Sequence, residues 1–237
     1  MSATFQTIDP RSAFVAYKAT PGLPSRPPQR DVFEPLARQA VAITVDRNKE
    51  VFGEGAPARH CYRVVSGCVR TVKLMEDGRR EIGEFLFPGD LLAWESLDRY
   101  DFSAEAVTPA ELQRYSSSVL EDLADRDRDF ARRLRELTAG RLRAARERMV
   151  LLARKTASER IACFLLDMSD RVAADGRGLI DLPMSRTDVA DHLGLTIETV
   201  CRGLTQLRRD GTIAIDRTRI AIRDRGALGS AGCRVMH

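Results

Sequence analysis

The sequence is short of several things, and each shortage closes off a class of protein. No apolar run approaches the about 18 residues of a membrane-spanning helix. Met1–Pro10 lacks the basic start and apolar block of a secretory leader. The two together predict a cytoplasmic protein with no membrane partner. Cysteine occurs five times, at Cys61, Cys68, Cys163, Cys201 and Cys233, an odd number with no close pair. That argues against a disulfide framework, and against a zinc site, whose ligands come at two-residue spacings. The three histidines, His60, His192 and His237, are scattered, and His60 beside Cys61 reads as a solvated loop position. No Ser/His/carboxylate set and no phosphate-cradling glycine loop is present. The expectation is therefore no catalytic residues, no metal, no cofactor and no enzyme. Lysine is scarce too: of 38 basic residues only Lys18, Lys49, Lys73 and Lys155 are lysine. Arginine, the better reader of guanine, supplies the rest.

What is present fits one or two globular domains. The chain has 237 residues, 43% of them hydrophobic and 30% charged. Its net charge of +4 permits nucleic-acid binding without demanding it.

The most informative stretch is Ser185–Arg209, SRTDVADHLGLTIETVCRGLTQLRR. Ser185 and Asp188 form a capping-box start, and Val189, Ala190 and Leu193 then recur at helical spacing. Gly194 supplies the positive φ of a sharp turn, and Thr196 can cap a second helix. In that helix Val200, Leu204 and Leu207 make one inward stripe. Ile197, Glu198, Cys201 and Arg202 are left on the other face, near the N-terminal end, with Thr196 and Thr199 beside them. In a DNA reader that end enters the major groove. Gly211 then stops the helix, and Thr212–Ile215 and Arg219–Ile222 read as two short strands. Helix-turn-helix plus hairpin predicts a winged DNA-binding domain.

Ahead of it the pattern changes three times. Residues 1–30 carry Pro10, Pro21, Pro24, Pro27 and Pro28 and read as a flexible arm. Residues 31–125 alternate glycines with clusters such as Tyr62–Val65, Val69–Leu74 and Ile82–Phe87, and Glu76-Asp77-Gly78 is a hairpin turn. This predicts a small antiparallel roll, with a helix starting near Ser118. Residues 126–154 form one long amphipathic helix, in which Leu134, Thr138, Leu142, Ala145, Met149 and Leu152 step by 4, 4, 3, 4 and 3. A narrow seam flanked by Arg133, Arg143 and Glu147 predicts a homodimer coiled coil through Leu134, Leu142, Ala145, Met149 and Leu152. Residues 155–237 hold the winged domain, with Gly226–His237 as a frayed tail.

The fold class is thus α+β: an N-terminal β-roll of jelly-roll type, a long dimerisation helix and a C-terminal winged helix-turn-helix. Over residues 33–224 this order resembles the Crp/Fnr superfamily of bacterial transcription regulators. The carrying motifs are FGEGAPARHCYRVVSGCVR, LLARKTASERIACFLLDMS and DVADHLGLTIETVCRGLTQLRRDG. The roll is accordingly of the cyclic-nucleotide-binding-like kind, and the recognition helix is similar to the FixK branch. There the pattern E-x-x-S-R reads a TTGAT half-site and its inverted repeat. Residue by residue, Glu198 and Arg202 match, and Cys201 replaces the serine. Arg202 suits a bidentate pair with guanine, Glu198 suits a cytosine amino group, and Ile197 suits a thymine methyl. The superfamily's nucleotide-binding members use an Arg-Ser pair. Here the segment reads DRYDFSAEAVT, with no arginine beside Ser103. No cysteine precedes Cys61, so the N-terminal iron–sulfur cluster of oxygen-sensing Fnr proteins is not expected.

The resemblance implies an effector-independent activator of microaerobic, anaerobic-respiration or nitrogen-fixation genes that contacts RNA polymerase. A ligand-, metal- or redox-gated sensor is the alternative. In the redox version Cys201, near a helix N-terminus and next to Arg202, is the candidate switch.

Overall fold

A computed structural model describes residues 34–96, 98–172 and 179–230. The expected arm at residues 1–30 lies outside the described residues, as do Cys233 and His237. After a 3-10 turn at Glu34–Gln39 come β1 (Val41–Val45), β2 (Glu50–Phe52), β3 (His60–Ser66), β4 (Val69–Leu74), β5 (Arg80–Leu86), β6 (Leu91–Leu92), β7 (Ser103–Ala106) and β8 (Ala110–Ser116). They make two four-stranded sheets, β1-β8-β3-β6 and β2-β7-β4-β5, antiparallel throughout. The Glu76-Asp77-Gly78 turn joins β4 to β5, with Gly78 at φ 80° and the Met75 N–H donating to the Arg79 carbonyl at 2.8 Å. His60 and Cys61 open β3 rather than lying in a loop. The Cys61 side chain is wanted in the apolar layer beside Tyr115, Leu120 and Phe130.

Rings fill the roll. Phe52 stacks on Tyr100 at 3.9 Å and on Tyr62 at 5.5 Å between centroids. Val45, Val64, Val69, Leu86, Leu92 and Leu112 close around them.

Sheet β2-β7-β4-β5 is apolar on both faces, which is unusual for an antiparallel sheet. Val69 and Leu86 point into the roll, whereas Val72, Ile82 and Phe85 join the core of the C-terminal helices. The roll and the winged domain thus share one continuous hydrophobic layer.

Helix α1 (Ser117–Arg126) ends where Asp127 turns extended and caps α2 (Arg128–Arg154), accepting from the Asp129 and Phe130 N–H groups. The long helix therefore starts after Arg126, because that cap breaks the run. Of its 27 residues only Phe130 is buried. Arg141 ties α2 to the roll, with its guanidinium 4.2 Å over the Trp94 ring and 2.6 Å from the Glu95 carboxylate.

Then follow α3 (Ala157–Val172), β9 (Leu179–Asp181), α4 (Arg186–Leu193), α5 (Ile197–Arg209), β10 (Ile213–Asp216), β11 (Arg219–Ile222) and α6 (Arg225–Ser230). Two elements depart from the sequence reading. β9 turns the wing into a three-stranded sheet, β10-β11-β9, with Ile180 opposite Ile220 and both fully buried. And the segment read as a tail begins with α6, whose Leu228 is buried in the main core. Cys61, Cys68 and Cys201 are free, whereas Cys163 is disulfide-bonded, against the expectation of none. Spacing along the chain does not report spacing in the fold.

Among the described residues no helix is long and apolar enough to cross a membrane, and no group of three or more His, Cys, Asp or Glu side chains is placed to hold a metal.

Candidate nucleic-acid interface

Local chemistry builds the helix-turn-helix. Ser185 Oγ accepts from the Asp188 N–H at 3.0 Å, and Asp188 Oδ2 accepts from the Ser185 N–H at 3.0 Å. This reciprocal box starts α4. Gly194 ends α4 at φ 61°, a conformation any side chain would strain, and its N–H returns to the Ala190 carbonyl. Thr196 then caps α5: its hydroxyl accepts from the Thr199 N–H at 3.3 Å and lies 3.0 Å from the Thr199 hydroxyl. The bend is held from below by Val189, Leu193, Val200 and Leu204, all buried. Gly203 lets α5 approach α3 closely, since a Cβ there would come within 2.5 Å of the Ile161 side chain.

The outer face of α5 is open. Ile197 is 40% exposed although large and apolar. Glu198, Cys201 and Arg202 are exposed beside it. The Glu198 carboxyl sits below its ordinary value. Its own backbone N–H at the helix start is the main cause, the Thr196 hydroxyl comes next, and Arg202 attracts it more weakly. The N-terminal turn thus presents one carboxylate, one guanidinium, one thiol and one branched alkyl group to solvent. Thr196 and Thr199 serve the cap and each other, and the Thr196 hydroxyl also supports the Glu198 carboxylate.

Three basic groups were not picked out in the sequence. Arg186, in the first turn of α4, lies within electrostatic reach of Cys201, and its guanidinium is lowered chiefly by burial. Arg217, at φ 55° between β10 and β11, and Arg219, the first residue of β11, stand exposed at the wing tip. The only sequence signal for them was arginine in a first helical turn and in a hairpin loop.

The seam of α2 is divided. Leu142 and Met149 are 53% and 70% exposed, and Ala145 is exposed between them. Val150, one residue outside the seam, adds another apolar group at 54%. The two ends are used inside the chain instead: Leu134 packs on the layer of Phe130 and Tyr115, and Leu152 is half-buried near the Gly194 turn.

An antiparallel roll, a long exposed helix and a winged helix-turn-helix, in this order, define the Crp/Fnr type of transcription regulator, and the chain belongs to that superfamily. Residues 159–231 match the Crp-like helix-turn-helix domain, and residues 42–127 match the cyclic nucleotide-binding domain. Within it the chain falls in the FixK branch. It is 48% identical over 186 residues to the nitrogen fixation regulation protein FixK of Azorhizobium caulinodans, covering 77% of this chain and 75% of that one. The protein of the same description from Bradyrhizobium diazoefficiens is 38% identical over 194 residues, 81% of each chain. The solved structure of FixK2 from Bradyrhizobium japonicum matches at a TM-score of 0.79 and 43% identity, covering 81% of this chain and 97% of that one. These relatives are regulators, not enzymes.

Proposed function

We propose that the chain is a homodimeric, sequence-specific DNA-binding activator that needs no effector, acts on an inverted TTGAT-type repeat and contacts RNA polymerase. Its genes would be those of nitrogen fixation, as the names of its FixK relatives suggest, or those of microaerobic and anaerobic respiration. The observation that carries the reading is the open N-terminal turn of α5, with Ile197, Glu198, Cys201 and Arg202 exposed above a fully packed inner face. In the groove, Arg202 pairs with guanine, Glu198 accepts from a cytosine amino group and Ile197 lies on a thymine methyl. Cys201 lies alongside, and Thr196 and Thr199 preset the helix start. Arg186, Arg217 and Arg219 supply phosphate contacts that fix register. Leu142, Ala145 and Met149 form the centre of the dimer seam, where exposed apolar groups on a charged helix call for a second copy.

Two observations support effector independence. The stacked Phe52, Tyr62 and Tyr100 rings occupy the roll interior. Ser103, which stands where the resemblance looks for a phosphate-binding serine, follows Asp101 and Phe102 and has no arginine beside it to hold a phosphate.

The test is binding of purified protein, with no added ligand, to a TTGAT…ATCAA duplex and to a scrambled repeat over a series of salt concentrations. The reading expects tight binding to the repeat alone, weakening steeply with salt. Equal binding to both duplexes contradicts it.

A further inference from the structure

The helix-turn-helix is bolted to the roll on the side opposite its reading face. Asp188 Oδ1 accepts from Arg70 Nη1 of β4 at 3.0 Å and from Arg80 Nη2 of β5 at 2.7 Å. Arg80 also grips Asp191 of α4 at 2.7 Å, and Arg70 grips Glu105 of β7 at 2.6 Å. Arg70 and Asp188 side chains are only 8% and 6% exposed. One turn further along α4, His192 is wedged between the Phe85 ring of β5 and the Phe164 ring of α3, 5.2 and 5.8 Å away. Arg148, from α2, donates to the His192 carbonyl and to the Ile82 carbonyl, both at 2.9 Å, and its other arm lies 2.8 Å from His192 Nδ1. Arg160 completes the set at the joint between α2 and α3. It donates to the carbonyls of Lys155, Leu152 and Leu193 at 3.0, 2.7 and 3.0 Å.

Every partner of this cluster in the DNA-binding domain lies on α3 or α4, and its anchors lie on the roll, on α2 and at the joint. None lies on the exposed face of α5. A side chain that only stabilised the domain would not need to reach from β4, β5 and α2 to the scaffold helix of another domain. A buried carboxylate shared by two guanidiniums is also a costly way to gain stability and a good way to fix geometry.

We infer that Arg70, Arg80 and Arg148, through Asp188, Asp191 and His192, are positioning residues that lock the helix-turn-helix on the roll in its DNA-reading orientation, so that the two α5 helices of a dimer stand at a fixed separation without any ligand. The inference rests on the dimeric, repeat-reading function proposed above. The roll then acts as a platform already organised, where a bound effector would otherwise have to organise it. Fixed orientation matters only when two half-sites are engaged together, because a single helix-turn-helix can find a single half-site from any hinge angle.

The test uses the full-length protein with Arg80→Ala and Asp191→Asn, partly exposed partners whose loss leaves the Arg70–Asp188 pair intact, and Arg80→Lys as the conservative rescue. Binding is measured to the full inverted repeat, to a duplex with one half-site, and to repeats whose spacer is lengthened by one or two base pairs. Arg80→Ala is expected to lose at least about tenfold in affinity for the full repeat, the usual size of a coupling between sites. It should keep wild-type affinity for the single half-site and lose the preference for one spacer length, and Arg80→Lys should restore part of both. Unchanged binding to the full repeat, or an equal loss on full and half-sites, overturns the inference.

Hydrogen exchange without DNA supplies the second readout. Faster exchange in α4 and β5 of Arg80→Ala, with α5 unaffected, is expected, and unchanged α4 protection overturns the lock. If wild type fails on the repeat, the proposed target fails while exchange still judges the lock.

Discussion

Helices α4 and α5 lie side by side, yet they meet their surroundings on opposite terms. α4 is fastened: a carboxylate in its first turn holds two arginines of the roll, and a histidine in its last turn is packed between two rings. α5 is fastened only from beneath, and its outer N-terminal turn offers a carboxylate, a guanidinium and a thiol to water. On the proposed reading, stability and orientation fall to one helix and recognition to the other. Substitutions should separate along the same line, with those at α4 changing folding and geometry and those at α5 changing sequence choice.

The largest expected effect is on the fastened side. Asp188→Ala removes the carboxylate half of the capping box and takes from Arg70 and Arg80 the buried carboxylate they share, leaving them Glu105 and Asp191. Breaking a buried pair costs about 3–5 kcal/mol, to be read in urea unfolding. A shift under 1 kcal/mol, roughly that of an ordinary cap, would mean that the arginines find other partners.

Next comes the seam. Met149→Asp puts an uncompensated carboxylate into the expected dimer contact and should weaken dimerisation by about 3 kcal/mol or more, seen by analytical ultracentrifugation. The folded protomer should survive, because Met149 is 70% exposed.

His192 gives a smaller, pH-dependent effect. Burial first, then the nearby Arg148, push its imidazole from 6.5 down to about 3. Arg171 adds to this, whereas hydrogen bonds with the Ile82 and Gly83 backbone oppose it. The unfolded chain takes up that proton near 6.5 and the folded one does not, so stability is full above that value and falls as pH drops toward 3. The slope approaches about 1.4 kcal/mol per pH unit. His60 is also lowered, mainly by burial, so the readout is the difference between wild type and His192→Gln over pH 7 to 5. Parallel curves would show that His192 is not kept neutral by its site. Asp188 acts in the same direction at lower pH. Burial would raise its carboxyl, but Ser185, Arg70 and Arg80 together hold it below its ordinary value.

The smallest effect belongs to the open side. Cys201→Ser restores a hydroxyl donor and should strengthen repeat binding by about 1 kcal/mol, the net worth of a neutral hydrogen bond. The same variant should remove any loss of binding caused by peroxide. Persisting peroxide sensitivity would rule out Cys201 as a redox switch.

The sequence made the open side easier to read than the fastened one. Ser185, Asp188, Gly194 and Thr196 act within a few residues of themselves, so the caps and the turn were visible as pattern. The glycine turns of the roll and the α2 stripe were visible for the same reason. Arg70 and Arg80 lie 118 and 108 residues from Asp188, and Arg148 lies 44 from His192. No periodicity links such partners, and each reads as an ordinary surface charge. Periodicity also told which face of α2 is apolar but not what covers it, so Leu134 and Leu152 were indistinguishable from Leu142 and Met149. β9 and α6 were missed because three and six residues carry little local preference, and both are held by tertiary contacts through Ile180 and Leu228.

Whether α5 reads sequence through its exposed first turns is decided most directly by one measurement. Wild type and Arg202→Ala are each titrated against the inverted repeat and against the same repeat with its G·C pairs changed to A·T. Wild type should lose about 1–3 kcal/mol of affinity for each changed pair. Arg202→Ala should bind the unchanged repeat more weakly and discriminate less between the two duplexes, keeping only what Glu198 reads from the cytosine. If Arg202→Ala discriminates the two duplexes as well as wild type does, Arg202 does not read the guanine and the assignment of the reading face is wrong.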